Sequence, residues 1–325
     1  MSNEEKDLRS GDQQISNCKT IKILSIIKVM CKIIFLFGSI LHQNSIFDPY
    51  IRMIMKKFSI LLLFIGIYIT SCNSTESKNT GETAMNNYPS APPLLNFSII
   101  NIYPHDTASF TQGLAFYKGQ LYESTGSPEN IPNNGSWLGP VNLQTGKSQK
   151  KIALSKEFFG EGMTFLNDKI YQITWQNHKG FVYDAVTFKK LKEFSYANDG
   201  WGLTNDGKNI IMSDGSSILY YLLPDSLTVT KKIEVLDNNG SVPNLNELEY
   251  INGFVYANQW ETAYVLKIDP TTGNVVGKFD FSKLVNEIKA KDTSVDVLNG
   301  IAYDSTTHKI FITGKKWPSV YEVRF

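Results

Sequence analysis

From Asn96 to Phe325 apolar and polar residues alternate in short runs. A period of two over a handful of residues marks half-buried strands. The runs are rich in Ile, Val, Tyr and Phe, which suit a pleated surface. Turn signals separate them: Asn167-Asp168, Asp206-Gly207, Asn252-Gly253, and Thr-Gly at 145–146 and 272–273. The predicted strands fall into successive groups. Gly113–Tyr117, Gln120–Thr125, Gly139–Leu143 and Lys151–Leu154 form the first. Gly162–Leu166, Lys169–Trp175, Gly180–Asp184 and Leu191–Tyr196 form the second. Gly202–Asn205, Asn209–Ser213, Ile218–Leu222 and Val229–Val235 form the third. Leu248–Ile251, Phe254–Asn258, Tyr264–Ile268 and Val275–Phe281 form the fourth. The last group has only Gly300–Tyr303, Lys309–Thr313 and Val320–Val323. Asn96–Tyr103 has no partner beside the first group, so it is expected to pair with Val320–Phe325. Phe281–Lys291 sets Leu284 and Ile288 against a charged face and predicts a short helix.

One phrase recurs five times within these groups. Gln112-Gly113-Leu114, Glu161-Gly162-Met163, Trp201-Gly202-Leu203, Asn246-Glu247-Leu248 and Asn299-Gly300-Ile301 each open a first strand. The anchors 113, 162, 202, 247 and 300 are separated by 162−113=49, 202−162=40, 247−202=45 and 300−247=53 residues. Repeats of about 40–50 residues made of short strands are propeller blades. The expected fold is all-β, a five-bladed β-propeller over residues 96–325 with four strands per blade. The N-terminal strand closes the last blade and removes a free edge.

In such a ring the first strand of each blade lines the central channel. The residue before each anchor then sits at one mouth: Gln112, Glu161, Trp201, Asn246 and Asn299. The ends of the second strands add Trp175, Trp260 and Lys315. A purely structural ring has no reason to vary these positions, yet each blade supplies a different polar or aromatic group. That divergence predicts a binding site at the mouth. Glu247 reads more as a structural partner, and Glu249 stays open between structure and site. His105, beside Asp106, is expected to fix the turn into the first blade.

Composition narrows the field. The chain has 325 residues and a net charge of +1, which gives no reason to expect nucleic acid. All three cysteines, Cys18, Cys31 and Cys72, precede the repeats, so the repeat body has neither disulfides nor a cysteine metal site. The histidines show no metal spacing; no metal or cofactor is expected.

Residues 1–95 do not follow the strand pattern. Lys56-Lys57, the apolar run Phe58–Ile69 and Thr70-Ser71-Cys72 form a secretory signal over 55–72. Its end is similar to a bacterial lipobox, with Cys72 as the lipidated residue. The alternative is a single membrane helix, although the run is shorter than the ~20 residues a span requires. Met55 looks like a natural start. Residues 1–54 are then either an upstream extension translated in error or a real second apolar segment. Residues 73–95 are polar and read as a tether. An exported lipoprotein on the periplasmic or cell-surface side, held to a membrane by its lipid, is the expectation.

The motifs also carry a resemblance. Pro104-His105-Asp106, Phe110-Thr-Gln-Gly113, Phe159-Gly-Glu-Gly162, Asp199-Gly-Trp-Gly202, Leu245-Asn-Glu-Leu-Glu-Tyr250, Asp296-Val-Leu-Asn-Gly300 and Gly314-Lys-Lys-Trp-Pro318 resemble, in order, the glutamine cyclotransferase family. The resemblance runs from about Ile102 to Phe325. It implies a five-bladed propeller that cyclises N-terminal glutamine of peptides or proteins to pyroglutamate, releasing ammonia without a metal; the chain itself is expected to be a monomer. It also points to Glu161 as the proton carrier. Chemistry suggests Lys315 and Asn246 as oxyanion donors, with Phe110, Gln112, Trp175, Trp201, Trp260 and Asn299 holding the substrate. The Pro- and Asn-rich loop Ser127–Leu138 is longer than the resemblance implies. Two other readings remain on the residues alone. Glu161, Asn246 and Asn299 are oxygen ligands of the kind a calcium-dependent propeller lactonase uses. A propeller that binds peptides without catalysis would also vary its mouth.

Overall fold

A computed structural model of the chain describes residues 88–128 and 135–325. The expectations for residues 1–54, for the signal and Cys72, for residues 73–87 of the tether and for the middle of the Ser127–Leu138 loop lie outside the described residues.

The first strand, β1 (Ser98–Pro104), belongs to the last blade. Blade one is β2 (Phe110–Tyr117), β3 (Gln120–Gly126), β4 (Trp137–Val141) and β5 (Ile152–Ala153). Blade two is β6 (Gly160–Leu166), β7 (Lys169–Thr174), β8 (Lys179–Asp184) and β9 (Lys190–Ser195). Blade three is β10 (Leu203–Asn205), β11 (Ile210–Met212), β12 (Ile218–Leu222) and β13 (Val229–Glu234). A small hairpin follows, β14 (Leu236–Asp237) with β15 (Gly240–Ser241). Blade four is β16 (Leu245–Ile251), β17 (Phe254–Gln259), β18 (Tyr264–Ile268) and β19 (Val275–Asp280). Helix α1 (Ser282–Lys291) leads into blade five: β20 (Leu298–Asp304), β21 (Lys309–Gly314) and β22 (Ser319–Arg324). In that blade β1 lies antiparallel to β22, with Ile102 opposite Tyr321 and Pro104 opposite Ser319.

Apolar side chains fill the spaces between neighbouring blades rather than one central core. Leu138, Met163, Ile170 and Phe181 pack blade one on blade two. Leu245, Leu248, Leu219 and Val255 join blades three and four. Leu114, Leu121, Phe311 and Val320 seal blade five against blade one. The helix buries Leu284 and Ile288 against blades four and five, and Lys289 and Lys291 in its last turn complement its dipole.

Several details depart from the sequence reading. The inner strands β2, β6, β16 and β20 begin before the expected glycine or leucine, and Trp175, Trp260 and Lys315 follow the second strands rather than end them. Blade one's third strand begins at Trp137 rather than Gly139, and its fourth narrows to Ile152–Ala153. The β14–β15 hairpin was not expected, because two residues per strand leave no period to read. His105 does more than fix a turn. Its Nδ1 lies 2.9 Å from the Trp317 carbonyl and its Nε2 3.2 Å from Glu123 Oε1. Thr111 and Ser109 donate to the same carboxylate, so the entry to blade one is held by a buried polar knot tied to blade five.

Candidate active site

Sheet pairing explains why the mouth residues leave the regular pattern. In four blades the inner strand bulges at the anchor. The register shifts between Thr111 and Gly113, Gly160 and Met163, Leu245 and Leu248, and Leu298 and Ile301. A bulge leaves residues without a cross-strand partner and re-aims their side chains. Gln112, Glu161, Asn246 and Asn299 all fall inside these shifts. In blade three the strand starts later, at Leu203, and Trp201 precedes it.

The anchor glycines exist because the inner strands converge. A Cβ on Gly162 would lie 2.5 Å from the Leu203 nitrogen, and one on Gly202 would lie 1.9 Å from the Asn246 carbonyl oxygen. Gly113, Gly162 and Gly202 thus let the next blade approach, whereas Gly300 meets Thr313 of its own blade first and is required by its positive φ of 123°. The fourth anchor is Glu247 instead, and its side chain is used. It accepts hydrogen bonds from the backbone N–H groups of Leu114 (3.1 Å) and Ile301 (2.8 Å), linking blades four, one and five.

Glu161 is 4 % exposed. The Gln112 side-chain amide donates to its Oε1 at 2.8 Å. Asn299 stands behind that contact. Its Nδ2 donates to Gln112 Oε1 at 3.2 Å and to the Thr111 carbonyl at 2.9 Å, which turns the amide nitrogen of Gln112 toward the carboxyl. The Glu161 backbone is pinned as well: Ser124 Oγ donates to its carbonyl at 2.6 Å. Burial pushes the Glu161 carboxyl well above the usual carboxylate range. The Lys315 ammonium opposes that rise, the Asp199 charge adds to it, and the Gln112 hydrogen bond offsets part of it. Lys315 is itself buried, which lowers its pKa, while Glu161 and Asp296 act in the other direction. Its Nζ lies 4.8 Å from the centre of the Phe110 ring, a cation–π arrangement.

These groups open on a cavity of about 770 Å³. Gln112, Glu161, Asn246 and Lys315 form its polar floor. Phe110, Phe159 and Trp175 make one aromatic wall, edge-to-face at 6.1 and 5.8 Å between ring centres. Trp201 and Trp260 make the other, perpendicular at 5.3 Å. Two polar atoms there, Trp201 Nε1 and Asn246 Oδ1, are buried without a partner. One is a donor and one an acceptor, and a polar ligand can satisfy both.

Eight of the nine site residues expected from the sequence therefore line one cavity. Asn299 does not; it holds Gln112 from behind. Sequence reasoning missed Phe159, although that residue opens the motif Phe159-Gly-Glu-Gly162, and it missed Glu157, Glu261 and Asp296. These lie in connections between strands, where the repeat gives no register. Glu249 is tied into the ring: the Tyr303 N–H donates to it at 2.8 Å and Thr204 Oγ1 at 3.3 Å. Among the described residues no three His, Cys, Asp or Glu side chains converge as a metal-binding group.

Comparison with known proteins agrees with this architecture. A family model described as glutamine cyclotransferase matches residues 66–325. A glutaminyl-peptide cyclotransferase of Arabidopsis thaliana is 40 % identical over 230 residues, covering 70 % of this chain and 70 % of that protein. The crystal structure of Myxococcus xanthus glutaminyl cyclase superposes with a TM-score of 0.65 at 34 % identity, covering 72 % of this chain and 97 % of the other.

Proposed function

The chain belongs to the glutamine cyclotransferase family, and from that premise we propose how its cavity works. It acts as a glutaminyl-peptide cyclotransferase, closing the N-terminal glutamine of a peptide into pyroglutamate. The α-amine nitrogen bonds to the γ-carboxamide carbon, the bond from that carbon to the amide nitrogen breaks, and ammonia leaves. One proton must travel from the attacking amine to the departing nitrogen. The reaction is intramolecular, so walls that hold the side chain curled over the amine remove a large part of the barrier. Trp175, Trp201, Trp260 and Phe110 are those walls.

Glu161 carries the proton. A carboxyl whose pKa is raised toward the working pH can both accept a proton and return it. The amine must be neutral to attack, and its ordinary pKa is about 7.7–8.0. Gln112, set by Asn299, fixes the carboxyl's orientation. Lys315 and the side-chain amide of Asn246 stabilise the oxyanion that develops on the carboxamide oxygen. The observation that carries this reading is the buried Glu161, bonded to Gln112 and facing the charge of Lys315 on the floor of an aromatic cavity. Incubation of the purified protein with Gln-initiated peptides, followed by mass spectrometry, tests it. Loss of one ammonia per peptide is expected, and an unchanged mass overturns it.

We further infer from Lys56 to Cys72 that the enzyme is exported as a bacterial lipoprotein and works on a lipid tether. Cys72→Ala is then expected to leave an uncleaved precursor or to release the protein from membranes. A processed protein that remains membrane-bound argues against lipidation at Cys72.

A further inference from the structure

The cavity has far more room than one glutamine side chain needs, and its mouth carries carboxylates to which the cyclisation assigns no contact with the reacting atoms. Glu157, Glu261 and Asp296 line it. They come from three separate connections, before β6, after β17 and before β20. Glu157 and Glu261 are exposed, and Asp296 is partly so. The ion pairs among the described residues engage Glu123, Asp168, Glu193, Asp237 and Glu322, and none of these three. The hydrogen bonds to their carboxylates are local: Ser155 Oγ donates to Glu157 at 2.9 Å, and the Val297 N–H donates to Asp296 at 2.7 Å. Among the described residues lining the cavity Lys315 is the single cation, and it is buried at the floor.

The floor fixes which end of a peptide enters first. The buried groups Glu161 and Lys315 and the orphaned acceptor Asn246 Oδ1 lie there. The terminal glutamine, which carries the only reacting atoms, occupies that end. The residues that follow it must leave past the mouth. Resting on the cyclotransferase reading, we propose that Glu157, Glu261 and Asp296 form a specificity rim selecting peptides with lysine or arginine directly after the glutamine. A cationic side chain there meets three carboxylates from three sides, whereas an acidic one meets like charge on each. Exposed pairs contribute modestly, so two or three acting together, set against the corresponding repulsion, correspond to a preference of roughly tenfold. Because the rim is open to solvent, salt must weaken it.

The test compares kcat/KM for three C-terminally amidated peptides, Gln-Lys-Phe, Gln-Ala-Phe and Gln-Glu-Phe, at low and high ionic strength. Measurements use the parent protein and the double variant Glu157→Gln/Glu261→Gln. The expected order is Lys above Ala above Glu, with a Lys-to-Glu ratio of about tenfold. That ratio should fall toward one in the double variant and at high salt. Equal turnover of all three peptides by the parent overturns the rim and leaves the cyclotransferase reading intact. So does a ratio that survives both the variant and salt. Failure to cyclise any of the three, Gln-Ala-Phe included, overturns the cyclotransferase reading and the rim with it.

Discussion

At the scale of single residues, Glu161 is asked for the most. Glu161→Gln keeps the volume and a hydrogen-bonding end group but removes the proton carrier. A general acid–base group contributes about 10²–10⁴-fold, so kcat is expected to fall by that factor while KM changes little, since the aromatic walls remain. The pH profile separates this role from a structural one. Burial raises the Glu161 pKa, so the acid limb of the parent's activity should lie above the pH of an ordinary carboxylate. Activity is lost as pH falls through that limb, and in Glu161→Gln only the limb of the substrate amine should persist. Near-parental turnover in the variant would mean that positioning alone drives ring closure. Lys315→Ala should lower kcat by roughly 10²–10³-fold if it is one of two oxyanion donors; a pure rise in KM would reassign it to binding. The mouth residues were legible because a repeat that varies at one position advertises that position. Asn299 obeyed the same rule and still stands behind Gln112, because the direction a bulge gives a side chain is not written in its spacing.

At the scale of elements, the inner strands both build the ring and aim the site. The glycine in four of the five repeated phrases was visible in the sequence as punctuation. Its physical reason, contact with the next blade at Gly113, Gly162 and Gly202 and a positive φ at Gly300, needed the structure. Gly202 is the tightest case, since any Cβ there would lie 1.9 Å from the Asn246 carbonyl oxygen. Gly202→Ala must therefore push β16 outward or distort the approach to β10. Overpacking of this kind costs about 1–3 kcal/mol. Because Asn246 is itself on the cavity floor, activity should suffer in the fraction that stays folded. Thermal melting together with kcat on a Gln-peptide checks this; an alanine variant with parental melting and turnover would show that the two blades can separate freely. The strand groups were read from period and turn chemistry with little error, because each strand buries one face against its neighbouring blade and alternation survives. The β14–β15 hairpin escaped, since two residues carry no period, and β5 was expected at twice its length.

At the scale of the whole molecule, the ring is held from inside as well as by the pairing of β1 with β22. Glu247 and Glu249, two positions apart on β16, reach the backbone of blades one and five, and Glu249 also receives the Thr204 hydroxyl of blade three. The sequence suggested a structural part for Glu247, which stands at an anchor where the other blades carry glycine, but did not reveal which blades the two carboxyls reach, since spacing along one strand does not give partners across the ring. Their burial links ring stability to pH. Burial pushes the Glu249 carboxyl from an ordinary value of 4.5 up to about 8, against the hydrogen bonds from Tyr303 and Thr204. In the unfolded chain the same group ionises near its ordinary value. Between those two pH values the native state holds a proton that the unfolded state has released, so raising pH through the window removes stability, and above about 8 the loss is complete. Glu247, raised by burial and by the Glu249 charge, acts with the same sign. Thermal melting at a series of pH values from about 5 to 9 should therefore show the parent losing melting temperature with rising pH from these two groups. Glu249→Gln keeps an acceptor for the Tyr303 N–H and cannot ionise, so its melting temperature should depend less steeply on pH and exceed the parent's most at the alkaline end. An unchanged slope would mean that Glu249 is already ionised in the folded ring, held by its two donors without the extra proton.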